Sequence, residues 1–255
     1  MTSSTPPRFG TAVVTGAASG IGRALADRLA AGGTRLVLAD LPIPALDEAA
    51  AELRATAVPT DVADSAAMEA LAAAAPETDL VCLNAGVVGL SLGAPWEVGH
   101  DEWDRVFAVN VGGVVNGLRA FVPRLLAAGR PAHLLITASL AGLATFPGGG
   151  AYGASKHAVV AVAEHAALVL SGTGIGVTVL CPALVRTALS PVGADPADVA
   201  AEALAAVAEG RFVVMPDEWR QAVRERGDVL VAGRQPTPPS PTEPPSPTAP
   251  PASSA

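Results

Sequence analysis

Short apolar runs alternate with longer amphipathic stretches from one end of this chain to the other. The runs at 11–15, 35–39, 55–59, 79–83, 132–138, 175–181 and 211–215 predict strands. Helical patterns fill the intervals at 20–31, 45–54, 65–75, 101–127, 151–170 and 196–208, and a short helix is expected over 217–226. The strand runs are continuously apolar, as strands covered on both faces are. This alternation predicts an α/β fold of the doubly wound Rossmann type. Its parallel sheet of about seven strands would be joined by right-handed crossovers and flanked by helices on both faces.

The pattern stops abruptly after Gly233. Residues 235–255 are mostly Pro, Ser, Thr and Ala, a composition that cannot bury a core. The expected organisation is a disordered start over 1–9, one dinucleotide-binding domain over 10–233, and a disordered Pro-rich tail over 234–255.

Composition narrows the function classes. The 255 residues are 50% hydrophobic, enough for one large domain. The net charge of −8 argues against a nucleic-acid or anionic-membrane partner. Residues 1–10 lack an apolar signal-peptide core, and the apolar helical pattern at 158–170 is too short to cross a bilayer. A cytoplasmic location is expected. Cys82 and Cys181 each close an apolar run and are expected as buried thiols. The four histidines have no metal-ligand spacing with Cys or acid, so no metal site is expected.

Candidate chemistry begins with Tyr152 and Lys156, the sole tyrosine and sole lysine of the chain. Their offset places both on one helix face, a turn apart. A nearby cation favours the phenolate and is expected to lower the phenol's pKa from about 10. A tyrosine so tuned can exchange a proton with an alcohol oxygen.

A second element is the loop Thr15-Gly-Ala-Ala-Ser-Gly-Ile-Gly22, between the first strand and the first helix. Gly16, Gly20 and Gly22 allow a tight turn and close approach, and the following helix N-terminus offers free N–H groups to a pyrophosphate. Asp40 closes the second strand, where an acid meets the adenosine ribose 2′-hydroxyl and repels a 2′-phosphate. No cation follows it in Leu41-Pro42, and Arg35 lies too far back along the strand. NAD(H) is therefore favoured over NADP(H).

Together these residues resemble the short-chain dehydrogenase/reductase superfamily over about residues 10–214. The loop 15–22 fits its TGxxxGxG motif, Asn84-Ala85-Gly86 its NAG element, and Asp61-Val62 the pair that meets adenine. Asn110, Ser139, Tyr152 and Lys156 fit its catalytic four in order and spacing. Pro182 to Thr187 fits PGxVxT with Ala183 in place of glycine. The resemblance implies an NAD(P)-dependent oxidoreductase that interconverts a secondary alcohol and a ketone by hydride transfer. In that reading Tyr152 is the acid/base, and Lys156 tunes it and holds the nicotinamide ribose. Ser139 polarises the substrate oxygen, and Asn110 anchors a water on the proton path. Cofactor contacts are implied for Gly16, Ser19, Gly20, Ile21, Gly22, Asp40, Leu41, Asp61, Val62, Asn84, Ala85, Gly86, Tyr152, Lys156, Pro182, Val185 and Thr187. A homodimer or homotetramer is also implied, paired through the helices at 101–127 and after Tyr152.

One departure stands out. Relatives carry a substrate lid after the threonine matched by Thr187, whereas here only residues 188–195 precede the next helix. A wide cleft is expected. It would either receive a bulky apolar substrate on Leu90, Trp96, Leu143, Phe146 and Leu184, or exclude water poorly and turn over slowly. The alternative function is a catalytically idle NAD-binding regulator of the same fold.

Overall fold

The computed structural model describes residues 9–90, 93–187 and 190–242. Seven parallel strands form one sheet in the order β3-β2-β1-β4-β5-β6-β7. They are β1 (Thr11–Thr15), β2 (Arg35–Asp40), β3 (Thr56–Pro59), β4 (Leu80–Leu83), β5 (Ala132–Thr137), β6 (Ile175–Leu180) and β7 (Val213–Val214). The order reverses between β1 and β4, which opens a crevice at the carboxyl ends of those strands. Register brings those ends level: Val14 pairs with Cys82, Leu83 with Ile136, and Thr137 with Leu180.

The helices are α1 (Gly20–Ala31), α2 (Pro44–Leu53), α3 (Ser65–Ala74), α4 (His100–Phe107), α5 (Gly113–Ala128), α6 (Gly150–Val169), α7 (Pro196–Glu209) and α8 (Arg220–Val231). Each face of the sheet buries its own core. Val13, Val81, Leu134 and Ile136 meet Met68, Leu71, Phe121 and Val159 on one side. Ala12, Leu80, Cys82 and Leu135 meet Leu25, Leu46, Ala203 and Ala206 on the other. This two-sided burial accounts for the unbroken apolar runs. Cys82 and Cys181 are free, buried, and assigned to opposite cores.

Three elements differ from the sequence pattern. The long helix expected over 101–127 is broken by a π turn, Ala108–Gly112, between α4 and α5. β7 is two residues long, although the backbone of Phe212 and Val214 still bonds to β6. The last helix runs to Val231 after a 3-10 turn, Asp217–Trp219. Residues 234–242 form no helix or strand, and residues 1–8 and 243–255 lie outside the described residues. The continuous segment His100–Ala128 is long and apolar enough to span a bilayer by length and composition. Its buried side chains Val106, Val114, Phe121 and Leu125 pack within the domain, the position of a core helix.

Candidate active site

The turn after β1 is a cradle that only glycine fits. Gly16 and Gly20 have φ of +65° and +56°, in the left-handed region. A Cβ on Gly22 would collide with the Gly16 carbonyl oxygen, so its absence seats α1 against β1. Ser19 is the extended N-cap of α1 and makes no side-chain cap bond. With no acid in the first turn, the N–H groups of that turn are left to an anion. Ile21 is half-buried against the core.

Thr15 fixes this turn to the loop after β4. Its hydroxyl accepts from the backbone N–H of Asn84 at 2.9 Å and of Ala85 at 3.1 Å. Asn84 returns a bond from its amide to the Thr15 carbonyl at 3.2 Å. The Asp40 carboxylate accepts from the Ala18 N–H and the Leu41 N–H, both at 2.9 Å, while the Leu41 side chain is exposed. Arg35 pairs with Glu77 at 2.7 Å, away from Asp40. On the far side of α5, Asn116 donates to the carbonyls of Val62 and Ala63 at 3.0 and 3.2 Å. Val62 is thereby held in the core with Asp61 exposed beside it.

Asn110, Ser139, Tyr152 and Lys156 belong to three segments that meet at the carboxyl end of β5. The π turn widens the helix at Asn110, a form of backbone that often marks functional sites. The Asn110 amide donates to the Val87 carbonyl and to Ser155 Oγ, both at 2.9 Å, and its oxygen accepts from the Val87 N–H at 2.8 Å. Both amide hydrogens are therefore used. Ser155 in turn donates to the Tyr152 carbonyl at 2.7 Å, which ties Asn110 to the helix that carries Tyr152. A Cβ on Gly86 would stand within 3.1 Å of Asn110 Oδ1 and 3.2 Å of Lys156 Nζ. Gly142 is equally constrained: a Cβ there would meet the Lys156 backbone, so the turn after Ser139 lies directly on α6.

The electrostatics differ from the sequence expectation. Lys156 is buried, donates to the Thr137 carbonyl at 3.3 Å, and its Nζ is 5.7 Å from the centre of the Tyr152 ring. Burial lowers its pKa to about 8. The Tyr152 phenol is raised, not lowered: burial dominates, and a hydrogen bond with Ser139 offsets it only in part. Burial of the phenol outweighs the nearby cation, so proximity alone does not tune it. Cys181, at the foot of the site, is pushed up to about 12 by burial.

The loop after β1 and the segment after β6 also meet. A Cβ on Gly20 would touch the Thr187 methyl, which places the two residues on either side of one narrow space. Pro182 accepts from the Leu140 N–H at 2.8 Å, and Val185 is buried. The segment after them is tied to itself. Arg186 N–H donates to the Ala194 carbonyl and Ala194 N–H to the Leu184 carbonyl, and the Arg186 guanidinium bonds Asp195 at 2.6 Å. Of the expected apolar contacts, Leu143 packs on the core, whereas Leu90, Trp96 and Leu184 are exposed, as is Val192. Phe146 is half-buried against Trp219, which follows β7.

Thr137, Ser155 and Trp219 had no sequence signal, because each works through a partner distant in the chain. Thr15 had one, a hydroxyl residue ending a strand just before the glycine turn.

The family model for short chain dehydrogenases matches residues 10–195. The 1-deoxy-11-beta-hydroxypentalenate dehydrogenase of Streptomyces exfoliatus is 43% identical over 254 residues, covering 91% of this chain and 92% of that protein. The protein of the same name from Streptomyces avermitilis is 42% identical, covering 85% and 92%. Among solved structures, a short chain dehydrogenase/reductase from Burkholderia phymatum in complex with NAD superposes with a TM-score of 0.86. It is 35% identical and covers 93% of this chain and 99% of that one. A short-chain dehydrogenase from Sphingobium yanoikuyae in complex with NADPH gives a TM-score of 0.77 at 26% identity, covering 88% and 94%.

Proposed function

This chain belongs to the short-chain dehydrogenase family of oxidoreductases, and from that premise we propose that it interconverts a secondary alcohol and a ketone on a bulky apolar skeleton, with NAD(H) as its cofactor. The observation that carries the reading is the meeting of Ser139, Tyr152, Lys156 and Asn110 beside a glycine turn that a single Cβ would fill.

The residues present fit a dinucleotide. The first turn of α1 and Thr187 border the space for a pyrophosphate, and Asp40 and Val62 lie at its adenosine end. Asp40 supports NAD because a 2′-phosphate would approach a carboxylate already fixed by two backbone N–H groups. When bound, the nicotinamide accepts a hydride from the alcohol carbon or returns one to the ketone carbon. Tyr152 takes the alcohol proton during oxidation and returns it during reduction. Ser139, already in hydrogen-bonding contact with Tyr152, orients the same oxygen. Lys156, with its pKa near 8, passes the proton onward. The Asn110 side chain is fully engaged, so the water on that path rests on its backbone carbonyl.

A hydroxy compound appears in the name of the 43% identical relative, and the exposed rim of Leu90, Trp96, Leu184 and Val192 suits an apolar skeleton. A homodimer or homotetramer is proposed through α5 and α6, whose exposed Val115, Leu126, Leu168 and Val169 form an apolar outer surface. A cytoplasmic location remains part of the same reading.

Titration with NADH and with NADPH, in the wild type and in Asp40→Ala, tests the cofactor. The expected result is tighter NADH binding, with the preference reduced by about tenfold to a hundredfold in the variant, one or two charge-assisted contacts' worth. Equal binding of both by the wild type would overturn it. Cofactor binding without turnover of any alcohol or ketone would favour the idle regulator.

A further inference from the structure

The described residues before α7 bond back onto Leu184, Arg186 and Thr187, while another part of the chain reaches the same edge of the sheet. β7 ends at the carboxyl edge of the sheet, the same edge from which Ser139 and Pro182 emerge. The chain then makes the Asp217–Trp219 turn before α8. The Trp219 ring meets Phe146 edge-on, at 5.5 Å between centroids and 70° between planes. Phe146 lies in the loop between Ser139 and Tyr152, so this contact joins the C-terminal arm to the segment that carries the chemistry. Trp219 is the half-buried residue of this turn, and the aromatic pair joins it to the domain.

The arm is held in two further ways. Arg220 bonds Asp217 at 2.6 Å across the turn. The first residues of the Pro-rich tail then fold back. Thr242 donates from its backbone N–H at 2.9 Å and from its hydroxyl at 3.0 Å to the Glu218 carbonyl, the peptide that precedes Trp219. A proline-rich segment keeps a stiff, extended form, so a clasp at Thr242 restrains Trp219 at little entropic cost.

We propose that Trp219 is a specificity-determining residue: with Phe146 it forms an aromatic wall on which the apolar body of the substrate rests, and Thr242 positions it by clasping Glu218. The C-terminal arm thereby does the work that the short segment before α7 cannot. This inference rests on the alcohol–ketone reading above. An edge-on pair leaves one ring face available for a flat or polycyclic apolar surface.

The test compares wild type, Trp219→Ala, Trp219→Phe and Thr242→Val with a bicyclic secondary alcohol such as a decalol and with 2-butanol, alongside NADH affinity. Trp219→Ala is expected to raise KM for the decalol by about tenfold or more and to change that for 2-butanol by less than about twofold, with kcat and NADH affinity held. Trp219→Phe should recover most of the loss, and Thr242→Val should show a smaller change of the same sign. Equal effects on both alcohols, or none, would overturn the assignment and leave Trp219 as packing for α8. A readout independent of turnover uses 5-fluorotryptophan. Of the three tryptophan resonances, the one absent from Trp219→Phe should shift when 2-decalone is added to the NADH complex. Saturation by decalone with that resonance unmoved would overturn the proposal whether or not any alcohol is oxidised. Failure of every alcohol in the wild type, with the shift present, would count against the reaction and not against the wall.

Discussion

The two ends of the crevice are built on different principles. At the cofactor end, between β1, β2 and β4, geometry is set by backbone approach: Gly16, Gly20 and Gly22 admit contacts that any side chain would block. The Thr15 hydroxyl and Asp40 carboxylate accept backbone N–H bonds, and Asn84 donates to the Thr15 carbonyl, so neighbouring strands are locked together. At the substrate end, the surface is made of exposed apolar side chains on loops, plus an aromatic contact between segments 73 residues apart, Phe146 and Trp219. The first end tolerates almost no change, and on the proposed function it would recognise a ligand part common to many enzymes. The second is cheap to alter, which is where a family with one reaction can vary its substrates.

The contrast is most exposed at Gly22. Gly22→Ala should force α1 off β1, with NADH binding lost by more than about a hundredfold and a destabilisation of about 2–4 kcal/mol, as overpacking against backbone does. Calorimetric titration and thermal melts check both. Near-normal NADH affinity in this variant would mean that the cradle relaxes easily and that the two ends are less different than their geometry implies.

Lys156 sits where the ends meet, and there function opposes stability. Burial lowers its pKa from 10.5 to about 8, a difference of about 3 kcal/mol. The sign follows from proton binding. Above the unfolded value the lysine is neutral in both states and its burial carries no charge penalty. As pH falls through the folded value, the penalty becomes complete. Lys156→Met should therefore abolish turnover yet raise stability at pH 7 by about 2–3 kcal/mol, and the gain should fade towards pH 10.5. Denaturant melts across pH would reveal it, and a loss of stability at pH 7 would contradict the account.

Leu184 represents the other extreme. It is 64% exposed, so Leu184→Ser should leave the melting temperature within about one degree and NADH affinity unchanged. KM for a bulky apolar alcohol should rise by a few-fold, the smallest of these effects. An equal change for 2-butanol would remove Leu184 from the rim.

The glycine turn after β1 and the acid that ends β2 were legible in the sequence because backbone geometry demands them at fixed offsets. The parallel, doubly wound sheet followed from alternation and the right-handed crossover rule, whereas the order of its strands came only from the structure. The π turn at Asn110 was not legible, since the residues of 108–112 read as ordinary helix and only packing against Val87 and Ser155 widens it. Nor was the charge state of the pair legible. Spacing placed Lys156 beside Tyr152, but the depth at which both are buried decides their pKa values. Trp219 and Thr242 escaped notice for a third reason: a Pro-rich tail has no periodicity to show that one of its residues reaches back to Glu218.

On the proposed function this site is a working tyrosine-based dehydrogenase. Tyr152→Phe keeps the ring and removes the one hydroxyl that exchanges the proton, so it tests that claim most directly. The expected result is NADH affinity within about twofold of wild type and turnover of the preferred alcohol lowered by about a thousandfold. Turnover retained with the hydroxyl gone would contradict it.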